Sequence, residues 1–262
     1  RGQPGRQLQP AMATAKLITS MDRVSLSNQP PASERATCPF ADPRLTVDFA
    51  SGSVRCPFHQ HRAPPEPQLK GPVRLALNGG THVQSQGTAQ LLKDIGGGDR
   101  IRQMSTRFYA HMFEDKHIRQ FLFLDDGAAA HGKRFGDWVV QKMGGEGDVW
   151  SDSGRHGMRQ PSHHAAWNSA RRSPAVRGTH FQLDDCRIWM RLMFWSAREV
   201  GLDEHPAFLD WYVQFIGHFV GVYERTAPPY AAESCEWSAE PRNIEKYKRA
   251  GNSMDDVIGK RR

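Results

Sequence analysis

Apolar residues fall into helical register along only part of this chain. Ile101, Met104, Phe108 and Met112 recur every three or four positions. They follow a glycine-rich turn, Ile95 to Asp99, whose acid sits where a helix start favours negative charge, so a helix is predicted there. A short apolar corner at Phe121 to Leu124 leads to a second helix over 128–143. Phe135, Trp138, Val139 and Met143 keep its spacing, and Gly144 with Gly145 supplies the stop. From Glu146 to Thr179 the chain is rich in Gly, Ser, Arg and His, which predicts loop with at most a short helix over 163–167. Between Leu183 and Val200 apolar residues surround most of a helical circumference, so this helix belongs in the middle of a core, with Asp184 or Asp185 as its cap. Asp203 to Pro206 then open a last helix whose buried stripe is Phe208, Tyr212, Phe215, Phe219 and Tyr223, closed by Pro228 and Pro229. No strand pattern and no internal repeat stands out.

Composition limits where a core can form. Residues 1–87 are rich in Pro, Ser, Gln, Arg and Gly and carry too little apolar surface to offset the entropy of ordering, so a largely disordered extension is expected. Residues 231–262 read as a polar tail. One all-α domain over 88–230 remains.

The formal net charge of +7 raises the question of a nucleic-acid partner. The excess is dispersed over residues 1–62, a block from Arg155 to Arg177 without an acid, and the final Lys260, Arg261 and Arg262, which reads as solvated or disordered basic segments. Four widely spaced cysteines, Cys38, Cys56, Cys186 and Cys235, do not make a disulfide framework and fit a reducing compartment. No apolar run approaches the roughly 18–20 residues a membrane span needs. A cytoplasmic location is expected, with an organellar one as the alternative because residues 1–21 hold Arg, Lys, Ser and Thr but no acid.

Four strings narrow the helical domain further: Arg107 to Tyr109, Gln141 to Gly145, Trp150 with Ser151 followed by His156, and Trp189 to Met193. In this order and spacing the chain resembles the group II truncated hemoglobins. The resemblance implies a truncated globin helical sandwich that holds heme b. It implies a proximal iron ligand after Gly145, for which ungapped register selects His163, with His180 and His164 as alternatives because this chain carries an insertion before Trp189. On the opposite face it implies Tyr109 as the distal hydroxyl, Phe123 as the ring wedging the porphyrin, His131 and Phe135 one turn apart, and Trp189 as a second donor. The same His131 imidazole is also a candidate sixth ligand. The implied function is reversible binding of oxygen or another diatomic gas, with turnover of nitric oxide if an external reductase supplies electrons. A heme-based gas or redox sensor is the alternative.

Outside the domain, Cys38, Pro39 and Phe40 recur as Cys56, Pro57 and Phe58, followed by His59 and His61. Cys-Pro pairs resemble heme regulatory motifs, and two thiolates with two imidazoles can also hold zinc; an inert linker is the third reading. The arginines of 155–177 are expected either to meet heme propionates, which guanidinium matches in bidentate fashion, or to stay in a solvated loop.

Overall fold

The computed structural model describes residues 46–48, 53–55, 69, 71–122 and 126–257. The chain divides into two units, residues 1–60 and 61–262. In the first, strands β1 (Thr46–Asp48) and β2 (Ser53–Arg55) form an antiparallel hairpin with Val47 opposite Val54. Cys38, Cys56, His59, His61 and Phe123 lie outside the described residues.

The second unit opens with a two-residue hairpin, β3 (Leu77–Asn78) against β4 (Thr81–His82), turned by Gly79 and Gly80, both in the left-handed region. Eight α-helices follow among the described residues. Helix α1 (Gln86–Asp94) starts on a reciprocal cap between Ser85 and Thr88. The glycine-rich turn separates it from α2 (Gly98–Glu114), as its composition predicts. A 3₁₀ turn, Ile118–Phe121, makes the apolar corner before α3 (Ala128–Met143), which ends on Gly144 in left-handed conformation. Helix α4 (Arg159–Trp167) occupies the segment expected to be mostly loop. Helix α5 (Leu183–Glu199) is capped at Gln182, whose backbone N–H donates to Asp185. Of the two candidate acids, Asp185 does the capping. Helix α6 (Pro206–Val220) carries Phe208, Tyr212 and Phe215 fully buried.

Helices α2 and α3 cross with almost no room between their backbones. A Cβ built on Gly132 would lie 2.5 Å from the Thr106 Cα, and one on Gly136 would lie 2.9 Å from the Arg102 Cα. The crossing is held from the side by Arg102, which donates to Asp137 at 2.7 Å and to Asp99 at 3.0 Å and also reaches Glu146. Helix α5 is buried on nearly every side, with Met190, Leu192, Met193 and Phe194 fully enclosed.

The segment after residue 230, expected to be a polar tail, forms α7 (Tyr230–Ala239) and α8 (Pro241–Arg249). Its few apolar residues are placed where they count: Trp237, Tyr247, Met254 and Val257 are all buried. Two arginines of α5 receive it. Arg191 donates to Glu233 at 2.6 Å and lies 4.8 Å over the Trp237 ring, while Arg187 donates to the Val257 carbonyl and lies over Tyr230. The Tyr247 hydroxyl donates to Asp115 Oδ2 at 2.9 Å, and Asp115 Oδ1 accepts from the His117 and Ile118 backbone N–H groups, so α8 is tied to the corner. The reading of low hydropathy as a tail fails because four anchors suffice when cations of the core are positioned to meet them.

Residues 71–87, expected to belong to the disordered extension, are also part of this unit. Val73 is buried, Leu75 N–H donates to Gln214, and His82 is only 2 % exposed, its ring edge-on to Phe215 at 5.4 Å and near Trp211 and Phe219. Burial, then Lys142, then His218 push the His82 imidazole down from 6.5 to about 4. The unfolded chain takes up this proton below pH 6.5 and the folded chain does not, so stability is complete above pH 6.5 and declines as pH falls toward 4, by up to about 3 kcal/mol. Replacing His82 by Phe, which fits the aromatic box, is expected to remove this share of the acid sensitivity. Denaturant unfolding at pH 7 and pH 4.5 measures it, and an unchanged pH difference in His82→Phe refutes the assignment.

Candidate functional site: an aromatic cavity with two neutral imidazoles

A cavity of about 280 Å³ opens among α2, α3, α4, α5 and α6. Tyr109 lines it from α2, His131 and Phe135 from α3, His163 from α4 and Trp189 from α5. These five residues, separated by up to eighty positions in sequence, are the described members of the expected site.

Aromatic side chains dominate one wall. The Tyr109 ring is 5.0 Å from His131 and 5.1 Å from Phe108, and Phe108 in turn meets Trp189 at 5.4 Å. Phe135 stands 6.1 Å from both Phe108 and Trp189. The contacts of Phe108 with Tyr109 and of Trp189 with Phe108 and Phe135 are edge-to-face, which fixes ring orientation beyond what area burial does. Burial pushes the Tyr109 phenol up to about 12, against a smaller opposing effect of Arg134, so at neutral pH it keeps its proton and is a donor. Burial, with Arg134 next, pushes His131 down to about 4, so its imidazole is neutral.

His163 presents a second neutral imidazole, held at about 4 first by burial and then by Arg159. Its Nδ1 is hydrogen-bonded to the Tyr223 hydroxyl at 2.7 Å, and Phe181 and Tyr223 stand around the ring at 5.7 and 4.6 Å. The other two candidate ligands are elsewhere. His164 is exposed, beside Asn168, and His180 is exposed and stacked flat on Trp167 at 4.2 Å; neither lines the cavity.

The basic block divides by task. Arg155 and Arg159 line the cavity, together with Arg134 from α3. Arg172 is buried and donates to the Trp167 and Thr179 carbonyls at 2.9 and 2.7 Å, with its guanidinium 4.5 Å from the Phe121 ring. Arg177 donates to the Ala170 and Arg172 carbonyls. The expectation of a solvated or propionate-binding block therefore fails for Arg172, which is buried, while Arg177 is exposed as a solvated loop residue would be. The tight turns of 168–179 leave carbonyl oxygens without helical partners, and a guanidinium with five donors satisfies several at once.

Several cavity residues carry no sequence signal of their own. Asp185 lines the cavity while bonded to His117 at 2.5 Å, a contact that raises the His117 pKa. Cys186 lines it as a buried thiol whose pKa burial raises. Tyr223 is legible only as the end of an apolar stripe, although it lies past the last turn of α6.

Residues 90–182 match the family model described as bacterial-like globin. The match runs from α1 to the N-cap of α5 and includes Tyr109, His131, Phe135 and His163. No curated protein and no solved structure matches the chain. The mostly helical fold agrees with this match, which covers about a third of the chain. No helix among the described residues is long and apolar enough to cross a membrane.

Proposed function

We propose that this chain is a truncated-type globin that binds heme b with His163 as the iron ligand and binds oxygen or another diatomic gas on the face of Tyr109. One observation carries the reading: five of the residues that the sequence nominated for the two faces of a heme line a single cavity. The donor set suits the group. An apolar, ring-lined slot takes a planar macrocycle, a neutral imidazole supplies the iron ligand, and the lining arginines Arg155 and Arg159 match its carboxylates.

Heme supplies the iron that takes up the gas; the chain's own residues set the surroundings. His163 offers Nε2, since Nδ1 is engaged with Tyr223. Tyr109 keeps its proton and donates it as a hydrogen bond toward the gas, which slows escape, and the Trp189 indole N–H is a second donor. Phe135 excludes water from this face, and Phe108 packs behind Tyr109 and Trp189. Oxidation of nitric oxide by such a site draws electrons from a partner reductase, and this is the activity we assign when one is present.

Titration of the purified protein with hemin is expected to give a Soret band that saturates at one heme per chain. After reduction, carbon monoxide should shift that band. A chain that takes up no hemin would sink this reading and leave a heme-free helical adaptor.

A further inference from the structure

We propose that Tyr223 is a positioning residue for His163, holding the imidazole so that Nε2 is the nitrogen offered to the cavity. This rests on the reading of His163 as iron ligand. Tyr223 sits just beyond α6, in a turn where its N–H donates to the Val220 carbonyl at 3.0 Å. It therefore comes from a different element than His163, which belongs to α4. The two rings meet at 4.6 Å and 68°, and the hydroxyl reaches Nδ1 at 2.7 Å. Phe181 packs against both rings, at 5.7 Å from His163 and 5.8 Å from Tyr223, and Trp167 stands 6.3 Å from Tyr223. The pair is thus boxed in by aromatic rings, and rotation of the imidazole would break its recorded hydrogen bond.

The chemistry of the hydroxyl matters as much as its place. When Nε2 offers its lone pair, the ring proton resides on Nδ1, and the Tyr223 oxygen accepts it. A phenol, whose ordinary pKa is about 10, is a neutral acceptor at pH 7. A neutral phenol pulls on the Nδ1 proton less than a carboxylate does, which leaves His163 an ordinary imidazole donor rather than an imidazolate-like one. The residue thereby sets both the direction of the ligand and its strength.

Tyr223→Phe in the full chain removes one oxygen and keeps the ring in its box. In the heme-free protein, nitrogen-15 NMR of the His163 ring is expected to show a hydrogen-bonded Nδ1 in wild type and its loss, with a changed tautomer ratio, in the variant. With hemin added, the variant should bind about ten- to a hundred-fold more weakly. Its ferrous iron–histidine stretching band in resonance Raman should move to lower frequency and broaden, while circular dichroism stays that of wild type. An unchanged His163 ring signal or an unshifted Raman band overturns the proposal. Should Tyr223→Phe fail to fold, a wild-type ring with no hydrogen-bonded Nδ1 overturns it as well. A wild-type chain that takes up no hemin refutes the heme reading, and the NMR comparison then decides the positioning role by itself.

Discussion

Replacing His163 by Ala is expected to lower hemin affinity more than about a hundred-fold, because even the outer partners of metal-bound histidines account for about ten- to a hundred-fold. His180→Ala and His164→Ala should leave affinity and spectrum close to wild type. The contrast follows from placement. His163 lines the cavity and spends only Nδ1 on a hydrogen bond, whereas His180 lies exposed on Trp167 and His164 stands exposed beside Asn168. Added imidazole should restore a five-coordinate or six-coordinate spectrum to His163→Ala by occupying the vacated space. Hemin titrations followed by absorbance read all three variants. Loss of coordination in His180→Ala with retention in His163→Ala would move the ligand across the insertion and contradict the proposed site.

The second large effect concerns the crossing of α2 and α3. Helix propensity alone makes Gly132→Ala stabilising by about 1 kcal/mol. The packing says otherwise, since the added methyl would stand 2.5 Å from the Thr106 Cα, and backbone cannot step aside as a side-chain tip does. We expect a net loss of about 1–3 kcal/mol for Ala and a larger one for Val, which for a unit of this size lowers Tm by about 2–4 °C per kcal/mol. Helix α3 must then retreat from α2, taking His131 and Phe135 with it, so gas dissociation should quicken alongside the fall in Tm. Gly127→Ala is the matched control, because nothing lies within 4 Å of the Cβ it would add and its φ of −84° suits any residue. A Gly132→Ala protein that melts at or above wild type would refute the close crossing.

Helices α2, α3, α5 and α6 around the cavity are readable because their pattern is strong and local. Met104, Phe108 and Met112 repeat along one face, and all three are buried in α2. The placement of Tyr109, His131, Phe135 and Trp189 at the cavity is legible for the same reason, each being anchored to a helix whose register the apolar stripe sets. The placement of His163 is harder to read. His163 comes from a short, weakly amphipathic helix amid arginine and serine, and three histidines competed for one role. Ungapped register favours His163, and of the three rings His163 is the one that lines the cavity. The pairing of Tyr223 with His163 is beyond reach of any local rule, because the two lie sixty residues apart in the chain. The two helices after residue 230 leave little trace in the sequence pattern for a further reason. Their polarity is real, and what holds them is a set of cations on α5 that no pattern in the segment itself reveals.

Asp115 joins two of these themes. It shapes the corner at Ile118 through backbone hydrogen bonds and takes its remaining partner from Tyr247, 132 residues downstream. On a ribosome, that buried carboxylate waits without its hydroxyl until almost the whole described chain has emerged. A nascent chain of this kind can assemble α2, α3 and α5 early, but the corner beside its cavity is finished only once α8 has emerged.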